Sequence, residues 1–287
     1  MRLGAVVDQT GPDGRAALLA AGVTELRIVA RWASLQPRPG HWDGSALDAL
    51  AAEVADARDS GLAAWVALLG RRVPGWFDDE GGFADAQTAA RWWPRYVDGV
   101  AGHLGDAIDG WFPMVNPAGF AAAAFAGRDP DVAYGGRRAL VVAWRDAWRI
   151  LHGRAPVATA LALEPWSDDW PRLLRTGEPT PTGLVLEDLA GSCDLLGGLV
   201  IIGPKTPVDQ PAELLVRLAA EGPERPLAVL VALDGAGDEE RADAAAVAAA
   251  AVRAVAADGV LIDAIFADSL LTADGGPAPA ADQLRPR

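Results

Sequence analysis

Four carboxylates in this 287-residue chain directly follow short apolar segments, and three of them are predicted to move protons. Asp8, Glu164 and Asp268 each come directly after a stretch that is typical of a buried strand. An apolar pocket disfavours a charged carboxylate and raises its pKa, which suits the group to general acid or base catalysis near neutral pH. These three residues are therefore the catalytic candidates. Structural roles are the alternatives: neutralising a buried arginine for Asp268, and a cap ahead of Pro165 for Glu164.

Arginine, amide and indole side chains near the same strand ends could contact a substrate. Arg27 and Arg31 lie four residues apart on one predicted strand, so they share a face. Both could hold an anionic group through paired hydrogen bonds. They could instead be fixed by Asp8 and Asp268 in an internal salt-bridge network. The full set of substrate-binding candidates is Gln9, Arg27, Arg31, Trp32, Arg71, Asn116 and Trp166.

The elements that must position these residues alternate between strand and helix. Eight apolar segments predict strands, and amphipathic helices separate most of them. Continuous apolar strands are typical of a parallel sheet covered on its outer face. We therefore predict a single (β/α)₈ TIM barrel with shortened loops over residues 1–271 and a loose tail over 272–287. The predicted strands are Leu3–Val7, Glu25–Trp32, Leu62–Leu69, Ile108–Val115, Pro156–Leu163, Asp194–Ile202, Leu227–Leu233 and Val260–Ala267.

Composition and charge exclude several classes of function. A net charge of −14 disfavours nucleic-acid and anionic membrane surfaces as partners, which leaves a small molecule. The single cysteine and three scattered histidines predict neither a disulfide nor a metal site, and no phosphate-binding glycine motif follows a strand, so no cofactor is expected. Neither a signal peptide nor a membrane span is recognisable, which favours a cytoplasmic protein.

One lysine against many arginines is typical of a high-GC, actinobacterial-like genome.

Several motifs, taken together and in order, resemble glycoside hydrolase family 1, the β-glucosidase type. Residues 26–37, LRIVARWASLQP, resemble the second-strand pattern YRFSISWSRIxP. Residues 111–117 resemble WxTFNEP, residues 170–177 resemble RWFxDPLxxG, and residues 193–197 resemble xDFLG. Residues 258–260 and 266–271 resemble DGV and YFxWSLL. The resemblance covers residues 20–271 and implies the same barrel fold.

The resemblance breaks at the positions that carry retaining hydrolysis. That reaction needs two carboxylates about 5–5.5 Å apart. Aligning the family motifs places Asn116 at the acid/base glutamate and Leu233 at the nucleophile. If Leu233 points inward, Asp234 faces the barrel wall or begins a turn with Gly235. Residues 70–72 replace a His-Trp-Asp motif that contacts sugar hydroxyls, and Asp268 replaces a tryptophan. The resemblance also implies that Arg27 points into the barrel, that Asp268 lies on the pocket floor and that Gln9 matches a sugar-binding glutamine.

Three functions are compatible with this pattern. The first is a family 1-like barrel repurposed for general acid/base chemistry on a small molecule, in bacterial specialised metabolism. Cyclisation, elimination, isomerisation and non-glycosidic hydrolysis all fit that description. The second is a pseudoenzyme that binds a ligand without turnover. The third is residual glycoside hydrolysis by an inverting route, with Asp268 and Glu164 as a relocated acid–base pair. No sequence feature identifies a substrate or an oligomeric state.

Overall fold

Eight parallel strands form the centre of the protein. The computed structural model describes residues 1–7, 10–70, 72–163, 191–222, 224–272 and 276–285. The strands, in chain order, are β1 (Arg2–Val6), β2 (Glu25–Val29), β3 (Ala63–Leu69), β4 (Gly110–Met114), β5 (Leu161–Ala162), β6 (Leu196–Ile202), β7 (Leu227–Leu233) and β8 (Ile262–Ala267).

Helices follow most of the strands, as the alternating pattern predicts. In chain order they are α1 (Pro12–Ala20), α2 (Trp32–Leu35), α3 (Gly44–Asp59), α4 (Gly75–Asp79), α5 (Ala86–Leu104), α6 (Pro117–Ala124), α7 (Pro130–Leu151), α8 (Asp209–Glu221), α9 (Asp238–Ala257) and α10 (Pro279–Leu284). In the described part of the chain, no helix is long and apolar enough to cross a membrane.

The sheet closes on itself. Its strands lie in the order β4-β3-β2-β1-β8-β7-β6-β5 and pair in parallel. The outer edge of β4 bonds to the segment that leads into β5: the Trp111 amide donates to Pro156 O, and the Trp111 carbonyl accepts from the Ala158 amide. Beyond the end of β4, the Asn116 amide donates to Ala160 O. The prediction of a (β/α)₈ barrel is confirmed.

Large aromatic side chains fill the middle of the barrel. Trp65, Phe112 and Phe266 point inward and contact one another, with ring centroids 5.2–5.4 Å apart. Two strand glycines make room for them. A Cβ on Gly4 would lie 2.3 Å from the Phe266 ring, and one on Gly110 would lie 2.2 Å from Trp65. Together these three rings form a plug across the barrel.

Charged groups close the barrel below this aromatic plug, at the amino ends of the strands. Glu25 is buried, and its carboxylate accepts hydrogen bonds from the Arg2 guanidinium and from the Trp65 indole. Arg2 also pairs with Asp263. Burial raises the pKa of Glu25, and the charge of Arg2 opposes that effect. The aromatic and charged layers leave the carboxyl ends of the strands as the open end, where barrel enzymes place their sites.

The C-terminal segment differs from the loose tail expected over residues 272–287. Helix α10 packs against α9, and its Ala280, Ala281 and Leu284 side chains are buried. Pro279 favours the start of the helix because it needs no hydrogen bond at that position. Small alanine side chains on α9 allow the two helices to approach closely. The Ala280, Ala281 and Leu284 side chains therefore form part of the hydrophobic core.

Candidate functional site

A buried arginine lies inside the barrel, directly above the aromatic plug. Arg27 is on the inward face of β2 and is 9% exposed, with its guanidinium carbon 5.6 Å from the Phe112 ring centroid. Its Nε has no hydrogen-bond partner, and among the described residues no carboxylate oxygen lies within 4.0 Å of its nitrogens. Burial lowers the pKa of Arg27 to about 10. The charged guanidinium is therefore held in the native state at a cost in free energy.

A second buried arginine shows how this chain ordinarily satisfies such a group. Arg15, on α1, is 6% exposed and donates to the carbonyl oxygen of Thr10. It also bonds to the Asp56 carboxylate at 3.1 Å and to the Ser60 hydroxyl at 3.3 Å. Among the described residues, Arg27 therefore lacks the kind of contacts that Arg15 has.

Asp268 lies close to Arg27, at the carboxyl end of β8. Its Oδ1 accepts a hydrogen bond of 2.9 Å from the Leu233 amide. Burial raises the pKa of Asp268, while that hydrogen bond and the charge of Arg27 act in the opposite direction. The structure does not form the direct Arg27–Asp268 salt bridge that the sequence suggested as an alternative. A half-buried carboxyl group thus faces the same interior as Arg27, a cation with which no described carboxylate forms a direct salt bridge.

Aliphatic side chains surround the opening above Arg27. Val6, Val29, Val115 and Leu199 are partly buried and pack on the inner layer of the barrel. Ile201 lies two residues beyond Leu199 on β6, so it shares the inward face, and it is 70% exposed. We call these five residues the apolar wall. Within the described residues, these five side chains present hydrocarbon groups on the inward face of the strands near Arg27.

Asn116 has a local structural task at the end of β4. It adopts a left-handed backbone conformation with φ 50° and caps helix α6, where its Oδ1 accepts a hydrogen bond of 2.8 Å from the Gly119 amide. A Cβ on Gly119 would lie 2.4 Å from the Asn116 side chain, so the cap is tightly packed. An amide in this arrangement has no acidic proton to deliver to a leaving group.

The residues at the end of β7 have the opposite orientation to the one the alignment suggested. Leu233 packs with Val229 and Val231 in the layer between strands and helices, so it points away from the barrel interior. Ala228 and Leu230, on the other face of β7, lie in the barrel interior. The same alternation of faces places Asp234 on the inward side. Asp234 is exposed. It is a second carboxylate at the open end.

Strand β2 stops at Val29, so Arg31 and Trp32 lie beyond it and do not continue its alternation of faces. Arg31 is exposed and precedes helix α2. Trp32 is 2% exposed, stacks on Tyr96 at 4.5 Å between centroids and bonds to the Gln36 side chain. The structure thus places Trp32 in the packing layer outside the strands.

Several candidates fall outside the part of the chain that the structure describes. They are Asp8, Gln9, Arg71, Glu164 and Trp166. Their roles stay predictions. Of the described candidates, the structure brings together Arg27 and Asp268.

The apolar wall was missed by sequence reasoning, which searched for polar groups at strand ends. A usable signal existed at β6, because Leu199 and Ile201 alternate with the buried Val200 and Ile202. Asp234 was also set aside, since β7 gives no alternation to show which way it points.

Solved structures of β-glucosidases resemble this chain in fold. A β-glycosidase from Pyrococcus horikoshii has a TM-score of 0.74 at 15% identity, covering 94% of this chain and 81% of its own. A β-glucosidase from Thermotoga maritima in complex with deoxynojirimycin has a TM-score of 0.75 at 16% identity, covering 90% and 76%. The GH1 β-glucosidase from Exiguobacterium antarcticum B7 gives the same values. The predicted resemblance to family 1 is confirmed at the level of the fold.

No family model matches the chain, and no curated protein matches it.

Proposed function

We propose that this barrel has lost retaining glycosidase chemistry and carries out general acid/base chemistry on a small anionic molecule. The observation that carries the proposal is the buried Arg27, which has no direct partner among the described residues, beside the half-buried Asp268 at the open end of the barrel. Arg27 would hold an anionic group of the substrate, and the carboxyl group of Asp268 would exchange a proton with the substrate.

Two positions support the proposed loss of retaining hydrolysis. Asn116 occupies the place of the acid/base glutamate and is engaged in capping α6. Leu233, at the place of the nucleophile, is hydrophobic and points into the helix layer. Neither residue can provide the proton donor or the carboxylate nucleophile that a retaining mechanism requires, and Asp234, the inward carboxylate at the end of β7, lies one residue beyond the aligned nucleophile position.

Asp268 is the proton-transfer residue that we favour. Its raised pKa places more of the acid form near neutral pH than an ordinary aspartate provides, so it could both donate and accept a proton. Asp8 and Glu164 stay as further acid or base candidates. Cyclisation, elimination, isomerisation and non-glycosidic hydrolysis, without a cofactor, fit these groups. A role in bacterial specialised metabolism is part of the proposal.

A non-catalytic binding protein is the second candidate. The observation that favours it is the hydrogen bond from the Leu233 amide to Asp268, which gives the carboxylate a task in joining the ends of β7 and β8. Asp268→Ala separates the two functions. An enzyme loses turnover of its substrate while the ligand still binds, whereas a binding protein has no turnover to lose.

The proposal predicts that nitrophenyl α- and β-glycosides are not cleaved. Nitrophenol release by the wild type should equal the buffer rate across the panel, under conditions where a family 1 β-glucosidase reacts. Asp268→Asn, Glu164→Gln and the matched control Asp243→Asn, an exposed carboxylate on α9, are measured beside it. Release that disappears in Asp268→Asn or Glu164→Gln, but persists in Asp243→Asn, would show a rebuilt glycosidase acid pair and overturn the proposal.

A further inference from the structure

We infer that the open end of the barrel binds a small monocarboxylic acid with an aliphatic body, its carboxylate on Arg27 and its hydrocarbon against the apolar wall. This inference rests on the proposed function, because it names the ligand class of the same site. It goes beyond that function in excluding sugars and phosphate esters as the preferred ligands.

The cation determines the anionic end of the ligand. A guanidinium bonds a carboxylate best through two parallel N–H donors, and the side-on arrangement uses Nε together with one Nη. The Nε of Arg27 is buried and has no hydrogen-bond partner in the described part of the protein. A ligand carboxylate at this position would satisfy the donor and neutralise the buried charge at once.

The charge balance favours a monoanion. Arg27 offers one positive charge, and the carboxyl groups of Asp268 and Asp234 lie at the same end of the barrel. A phosphate dianion would bring a second negative charge toward those groups, and the net charge of −14 would repel it during approach. A carboxylate matches the single guanidinium.

The apolar wall determines the rest of the ligand. Val6, Val29, Val115, Leu199 and Ile201 offer hydrocarbon contact and no side-chain hydrogen-bond partner. A sugar buried here would leave hydroxyl groups unsatisfied against those five residues, at a cost for each one. An alkyl chain would gain free energy from the same contacts. The two residues from Arg27 to Val29, and from Leu199 to Ile201, each span about 7 Å along the strand, the length of a short alkyl chain.

The inference is tested by calorimetric titration of the full-length protein with butanoate, pentanoate and hexanoate. Hexanamide is the neutral partner of hexanoate, and glucose and inorganic phosphate are the competing classes. We expect one saturable site, a roughly fourfold gain in affinity for each added CH₂ group, and hexanamide weaker than hexanoate by about 30-fold or more. Glucose and phosphate should give no saturable heat.

Three variants assign the binding to the residues named. Arg27→Met should make hexanoate and hexanamide equally weak. Ile201→Asn should reduce the gain from chain length, whereas Leu261→Asn should not. Leu261 is the matched control because it is 67% exposed but precedes β8, at the opposite end of the barrel. Both side chains are exposed, so neither change is expected to unfold the protein.

Absence of a saturable site for the acids, tighter binding of phosphate or glucose, or unchanged hexanoate binding in Arg27→Met would each overturn the inference. Asp268→Asn separates it from the proposed function. If hexanoate still binds to Asp268→Asn, the ligand class is supported, whatever the result of the glycoside panel. Cleavage of glycosides would overturn the proposed function but not the ligand class.

Discussion

Replacing Arg27 by methionine is expected to stabilise the protein by about 1–4 kcal/mol. Methionine has a similar length, keeps contact with the Phe112 ring and removes a buried charge that no described group pairs with directly. The pKa of Arg27 is lowered in the folded state, so its protonation favours the unfolded chain at every pH below about 10. The gain should therefore be present in full at neutral pH. Urea unfolding of both proteins measures it.

Arg15→Met is the matched control for this prediction. Arg15 is also buried, but its guanidinium bonds to Thr10, Asp56 and Ser60. Its removal is expected to lower the free energy of unfolding by about 1–3 kcal/mol, because those partners lose a charged donor. Destabilisation of the same size in Arg27→Met would contradict the account, since it would show that Arg27 is already paired in the free protein.

Truncation of Glu25 is expected to be the most destabilising of the changes considered. Glu25→Ala removes the acceptor that satisfies both the Trp65 indole and the Arg2 guanidinium beneath the aromatic plug. Losing one partner of a buried ion pair costs about 3–5 kcal/mol. Thermal and urea unfolding should both show the loss.

Glu213→Ala provides the comparison for Glu25→Ala. Glu213 pairs with Arg217 one turn along α8, and its side chain is largely exposed. An exposed pair of this kind contributes less than about 1 kcal/mol. Equal effects of the two substitutions would show that the charged layer at the amino ends of the strands does not stabilise the barrel.

The fold could be predicted because its signals are local. Strand β7 was predicted with its observed bounds, since seven apolar residues lie between turn residues. The amphipathic pattern of residues 86–104 likewise predicts helix α5 with its observed bounds. Strand β5 was predicted as eight residues and forms only Leu161–Ala162, because the residues before it make isolated bridges to their neighbours. The sequence predicts a helix that begins at Gly136, whereas helix α7 begins at Pro130 because Asp129 caps it.

The site was harder to predict because it depends on which way each strand faces. Strand β7, LAVLVAL, is apolar on both sides, so its sequence hides which residues point inward. That ambiguity placed Leu233 in the interior and Asp234 outside it. The pairing of Asn116 with Pro117 did contain a signal, since asparagine followed by proline is typical of a helix start. Arg27 could be placed on the inward face, but its lack of a partner required the tertiary structure.

The most direct test of the central claim is the ¹⁵N NMR signal of the Arg27 side chain. Arginine Nε–H resonances are recorded in the free protein and during titration with hexanoate, and the Arg27→Met spectrum identifies the resonance of Arg27. The account predicts a large shift of this resonance on saturation, with the Arg15 resonance unchanged. An Arg27 resonance that does not shift during the hexanoate titration would contradict the claim that the Arg27 guanidinium binds the anionic group of a ligand.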